Sequence, residues 1–118
     1  LGFESELAMR DFAPANQLLL QRRALDGDTI GALHRVQHIC YFANHFMAQA
    51  AESALKAAGF DTVLLNHTMK SQVLAMHFLK LTNSNLNHAC DDIALVVEHY
   101  GGEYAGWDSP LIGSPVMA

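Results

Sequence analysis

The chain has 118 residues, 51% of them apolar and 16% charged, with a formal net charge of −5. That length supports one two-layer core and not two, and the composition is that of a mildly acidic folded domain, which excludes a disordered chain and does not invite phosphate backbones. No apolar run approaches the roughly 20 residues a membrane helix needs, and the first 25 residues carry acids where a signal peptide needs a basic and then apolar run, so the expected location is cytoplasmic.

Helix is expected over the first 25 residues, interrupted between Asp11 and Pro14, where proline suits a helix start, with Leu18, Leu19 and Leu25 as the apolar stripe. Asp26-Gly27-Asp28 ends it, and Arg22 and Arg23 complement the dipole of its last turn. From Leu33 to Phe42 the period changes to two: His34, Val36, His38, Cys40 and Phe42 fall on one face, Arg35, Gln37, Ile39 and Tyr41 on the other. Asn44 can cap a helix over 44–58, in which Phe46, Met47, Ala50, Ala51, Ala54, Leu55 and Ala58 recur at helical spacing and Gly59 is the stop. A short apolar strand at 62–67 and a longer one at 73–82 follow, joined by the polar turn Thr68 to Gln72. Asn83, Ser84 and Asn85 are each good caps for a helix over 85–100, whose buried face is Leu86, Ala89, Cys90, Ile93, Val97 and Tyr100. Gly101 or Gly102 stops that helix, because the residue past a last turn is left-handed. Glu103 to Trp107, with the chain's only tryptophan, leaves as a strand, and the tail with Pro110 and Pro115 is irregular.

This order, a helix and then β-α-β-β-α-β, predicts an α+β fold: the ferredoxin-like split β-α-β with an antiparallel sheet and an additional N-terminal helix. The division is an N-terminal helical segment over 1–30, the ferredoxin-like domain over 31–109 and a tail over 110–118. Strand 3 is apolar on both faces, with Leu74, Met76 and Phe78 alternating with Val73, Ala75, His77, Leu79 and Leu81. Its second face therefore needs a cover: the N-terminal helix, another subunit or a partner.

Seven histidines raise the question of a metal. His34 and His38 stand about 13 Å apart along one strand face and cannot share an ion, and His67 and His77 flank the turn without a cysteine or carboxylate to complete a set. No metal and no cofactor is expected. Cys40 and Cys90 lack C-x-x-C spacing and read as buried thiols, although Cys90 lies early enough in its helix to leave a lowered pKa open. There is no G-x-S-x-G, no glycine-rich phosphate loop and no nucleophile beside a base, so an enzyme is not expected. Asp91 and Asp92 are adjacent and point to different sides of their helix. RNA-recognition domains use the same element order, but they carry stacking aromatics and basic residues where this third strand reads Val73-Leu74-Ala75-Met76-His77-Phe78, so direct nucleic-acid binding is not expected.

Arg35-Val36-Gln37-His38 and Tyr41-Phe42, then Gly59-Phe60, and above all Gly102-Glu103-Tyr104-Ala105-Gly106-Trp107, resemble the family of regulators of ribonuclease E activity B over roughly residues 17 to 108. Members are compact α/β proteins without catalytic activity that bind ribonuclease E and restrain its cleavage of RNA. The resemblance therefore implies an inhibitor acting through protein contact. Ala105 departs from a common aspartate, and Ser109-Pro110-Leu111-Ile112-Gly113-Ser114-Pro115 replaces the acidic tail of some members. The expected partner-binding residues are Glu103, Tyr104, Trp107 and Asp108, carboxylates to steer a basic partner and aromatics to anchor it. The same Tyr104 and Trp107 also read as closing a small core. A second reading is a small sensing or dimerising module, a possible homo-oligomer with strand 3 against a twin subunit. A third is a metal- or thiol-dependent enzyme using histidine with Cys40 or Cys90.

Overall fold

The computed structural model describes residues 11–113. The expectations that concern the first ten residues, Ser114 and Pro115 lie outside them. Seven elements follow one another: α1 (Ala13–Leu25), β1 (Leu33–Phe42), α2 (His45–Ala57), β2 (Asp61–Asn66), β3 (Ser71–Lys80), α3 (Asn83–His99) and β4 (Glu103–Asp108). The sheet order is β2-β3-β1-β4 with every neighbouring pair antiparallel. The fold is thus α+β, with the two longest strands central, as the ferredoxin-like arrangement requires.

The alternation read in β1 is the alternation found. His34, Val36, His38, Cys40 and Phe42 are all buried beneath the helices, opposite the inward residues Val73 and Ala75 of β3. In α3 the predicted face is also the core face, with Leu86, Cys90, Ile93 and Val97 fully enclosed, joined by Ala94. Its cap is Thr82, whose hydroxyl accepts from the Asn85 N–H, ahead of the three candidates read from sequence. Asn44 caps α2 as expected, accepting from the Phe46 and Met47 amides.

Two helical stripes differ from expectation. In α2 the core face is Ala48, Ala51 and Leu55, while Phe46 is 77% exposed and Met47 also reaches solvent. A helix this rich in alanine offers two apolar faces, and the one that admits close approach to the sheet is the one buried. In α1 Leu18, Leu19 and Leu25 are exposed and the buried residues are Asn16 and Leu20. Three consecutive leucines cannot all face inward, and the hydrogen bonds of Asn16 decide the phase.

Gly101 takes the left-handed conformation (φ +77°) that ends α3. Gly102 is needed for a different reason: a Cβ there would run into the Phe42 ring, which is itself buried. The paired glycines thus divide two tasks, reversal and close packing. α1 packs beside α3 on the helical side of the sheet, its Phe12 ring edge-on to Tyr104 at 5.4 Å. It does not cover the opposite face. Among the described residues, that face remains open, and Phe78, paired with Arg35 near one end of the central strands, is 65% exposed.

Candidate functional site

The four residues expected to meet a partner divide between the two faces of the sheet. Glu103 pairs with Tyr41 and Asp108 with Gln37, so both carboxylates stand on the open face, and both are exposed. Tyr104 pairs with Cys40 and Trp107 with His38, on the helical side. A register shift between Ile39 and Cys40 separates the two pairs of residues. On the open face, Asp108 lines a hollow of about 290 Å³ with Arg35, Gln37 and Met76. Arg35 donates to the Met76 sulfur at 3.2 Å. Glu103 lines another of about 320 Å³ with Tyr41, Met69 and Lys70. There the Lys70 ammonium lies 4.2 Å from the Tyr41 ring centroid. The open face is therefore an apolar centre bounded by hollows that each hold one predicted carboxylate and one cation.

The inward aromatics belong to a buried polar chain. The Tyr104 hydroxyl is 2.8 Å from His38 Nδ1 and 3.2 Å from Cys90 Sγ. His38 Nε2 meets His77 Nε2 at 3.0 Å, while Asn16 donates to Asn87 at 2.7 Å and to Cys90 Sγ at 3.7 Å. Trp107 Nε1 donates to Asn16 Oδ1 at 3.0 Å. Two neutral imidazoles satisfy the His38–His77 contact, one donating and one accepting. Burial, and then the neighbouring His77, hold His38 down at about 3, and burial lowers His77 also. Burial pushes the Cys40 thiol up to about 12. It raises Cys90 too, outweighing the bonds from Tyr104 and Asn16, so neither cysteine is poised as a thiolate. His67 and His77, which flank the β2–β3 turn, do not meet, since His67 bonds Gln72 instead. On the β1–β3 register His77 stands opposite Val36 and His38 opposite Ala75, so the two imidazoles meet diagonally across the strands, which no single strand's pattern discloses.

The His38 shift has a direct test. Its folded value lies below its ordinary 6.5, so its contribution to stability is present above pH 6.5 and is lost as pH falls towards about 3. Between pH 6.5 and about 5, above the main carboxylate range, stability should decline, and His38→Gln should remove about 1.4 kcal/mol per pH unit of that slope. Urea melts at a series of pH values measure it. An unaltered slope would mean that His38 takes up its proton in the folded state.

A second buried cluster, not foreseen from sequence, lies at the far end of β1. Asp28 accepts from Arg23 Nε at 2.7 Å, from His34 Nε2 at 2.8 Å and from the Ile112 amide at 2.8 Å. Arg23 also donates to the carbonyls of Ser109 and Pro110, and its guanidinium lies 5.4 Å from the Trp107 ring centroid. The cluster ties the segment beyond β4 to the turn after α1. Among the described residues no group of three histidine, cysteine or acidic side chains could hold a metal ion.

An open sheet face with an apolar centre, over a polar chain whose inner members His38, Tyr104 and Cys90 are buried, defines a ferredoxin-like module with one sheet face uncovered among the described residues. The family assignment agrees: the model of the regulator of ribonuclease activity B family matches residues 14–109, and the chain belongs to that family. Membership makes it a regulator of ribonuclease activity by class. A comparison with curated proteins found no match. No helix among the described residues is long and apolar enough to cross a membrane.

Proposed function

We propose that this protein is a non-catalytic inhibitor of ribonuclease E, acting in the bacterial cytoplasm by direct protein contact and without binding RNA itself. Family membership supports a ribonuclease as the target. The observation that carries the surface assignment is an uncovered sheet face that holds the exposed Phe78 near one end and the exposed carboxylates Glu103 and Asp108 along its β4 edge. A desolvated aromatic supplies binding energy while peripheral carboxylates steer a basic partner. Tyr104 and Trp107 serve the same contact from beneath, fixing β4 through their bonds to His38, Cys90 and Asn16.

Purified protein added to ribonuclease E and an RNA substrate should slow cleavage, with complex formation seen with the enzyme and not with RNA alone. Glu103→Lys combined with Asp108→Lys should weaken enzyme binding about tenfold or more while leaving the melt nearly unchanged, because both side chains are exposed. Full inhibition by that double variant would place the interface elsewhere. Binding to RNA alone would remove the protein-contact reading.

A further inference from the structure

The two edges of the sheet are built differently. The β4 edge carries a register shift, Gly106 at φ +139° and exposed carboxylates at both ends. The chain then continues through Ser109, bonded to the Arg35 carbonyl, into Pro110. Bulges, charges and proline are the devices that keep a strand edge from pairing. The β2 edge has none of them between Thr62 and Asn66: that stretch has no charge, proline or glycine, and it pairs with β3 in unbroken register. Val63 and Leu65, on the open face, are each 39% exposed.

The free hydrogen-bonding groups of β2 can be assigned. His67 N–H donates to the Lys70 carbonyl at 2.8 Å, which makes 67 and 70 a hydrogen-bonded pair. Antiparallel pairs alternate, so residues 65, 63 and 61 bond inward to β3, and Thr62, Leu64 and Asn66 turn their amides and carbonyls outward. We propose that this edge binds the same edge of a second copy of the chain, antiparallel about a two-fold axis at Leu64, to form one eight-stranded sheet.

The register follows from the side chains. With Leu64 on the axis, it exchanges both backbone bonds with its own copy, and Thr62 does so with Asn66 of the second copy. Val63 then faces Leu65 of the second copy on the open face, twice, at the closer spacing of non-hydrogen-bonded pairs, and Asp61 faces His67 of the second copy at each end. An axis between residues would set open-face side chains against helix-side ones. An axis on Val63 would place Asp61 against Leu65, and one on Leu65 would place Val63 against His67. The Leu64 axis alone matches apolar with apolar and acid with histidine. It also sets the two open faces side by side.

Light scattering and sedimentation of the full chain over a dilution series should show a monomer–dimer equilibrium. Val63→Lys with Leu65→Lys places like charges opposite one another and should raise the dissociation constant roughly tenfold or more. The register is tested separately with cysteine variants. Under mild oxidation a mixture of Val63→Cys and Leu65→Cys proteins should form a disulfide-linked heterodimer, while neither forms one alone. A monomer at every concentration would overturn the proposal, as would a dimer indifferent to the paired lysines in a variant whose melt is intact. Cross-linking of Val63→Cys with itself would overturn the register.

Discussion

Val97→Asp is expected to abolish the cooperative melt. Val97 is fully buried on α3, in the same core as Ile93, Cys90 and Val36. Its carbonyl also receives the Gly102 amide at 2.9 Å and the Tyr100 amide at 3.2 Å, so the helix end is fixed at this residue. Replacing the side chain removes about 1.5–3 kcal/mol of apolar burial and introduces a carboxyl with no partner, at a cost of several kcal/mol more whether it ionises or takes up a proton. A domain of this size has about 5–15 kcal/mol in all. The expected result is therefore loss of the two-state thermal transition and of near-ultraviolet dichroism. An unchanged melting curve would show that the α3 stripe does not face the core. Val97→Ala, which only leaves a cavity, should cost about 1–3 kcal/mol and keep the transition.

That α3 stripe was legible because its pattern admits one phase: Leu86, Ala89, Cys90, Ile93 and Val97 are flanked by polar residues on nearly every other side. β1 was legible for the same reason at period two, where histidines and valine alternate with arginine and glutamine. The helices that misled are those with surplus apolar residues. In α2, alanine at five of thirteen positions supports either face, and burial of Ala48 rather than Phe46 is settled by how near the sheet lies. In α1 the deciding residue is polar. Asn16 is buried because it bonds Asn87 and accepts from Trp107, two residues more than seventy positions away, and no local signal marks it. The candidate site divides along the same line. Glu103 and Asp108 were legible as exposed because acids at strand ends rarely bury unpaired. The inward turn of Tyr104 and Trp107 depends on the register shift opposite Ile39, a feature of pairing rather than of the strand.

Asp28 was missed for a related reason. Asp-Gly-Asp after a helix reads as a solvated turn, and the first of the two aspartates, Asp26, does lie at the surface. The second is enclosed because Arg23 from the end of α1, His34 from the start of β1 and the distant Ile112 amide converge on it.

Asp28→Ala is expected to cost about 3–5 kcal/mol, the range for removing one partner from a buried charge cluster. The variant leaves Arg23, whose side chain is 14% exposed, and the fully buried His34 without their carboxylate. It also frees the Ile112 amide. Burial alone would push the Asp28 carboxyl up, but the Ile112 amide, His34 and Arg23 together outweigh it and hold the group at about 2, against an ordinary 3.8. The folded value lies below the unfolded one, so the associated stability is present above pH 3.8 and is lost as pH falls through about 2, amounting to about 2 kcal/mol. Wild-type protein should therefore lose stability steeply over that interval, and the Asp28→Ala variant should show a shallower dependence from a lower start. Urea melts at a series of pH values measure both. Because Ile112 also receives the Thr29 amide through its carbonyl at 2.7 Å, the segment beyond β4 should loosen in the variant, and exchange at the Thr29 and Ile112 amides should rise before global unfolding. Asp108 begins the same segment, so binding of a protein partner to the open face should weaken with it. A cost below about 1 kcal/mol with both amides still protected would mean that Arg23 and His34 find other acceptors and that Asp28 does not hold the end of β4 in place.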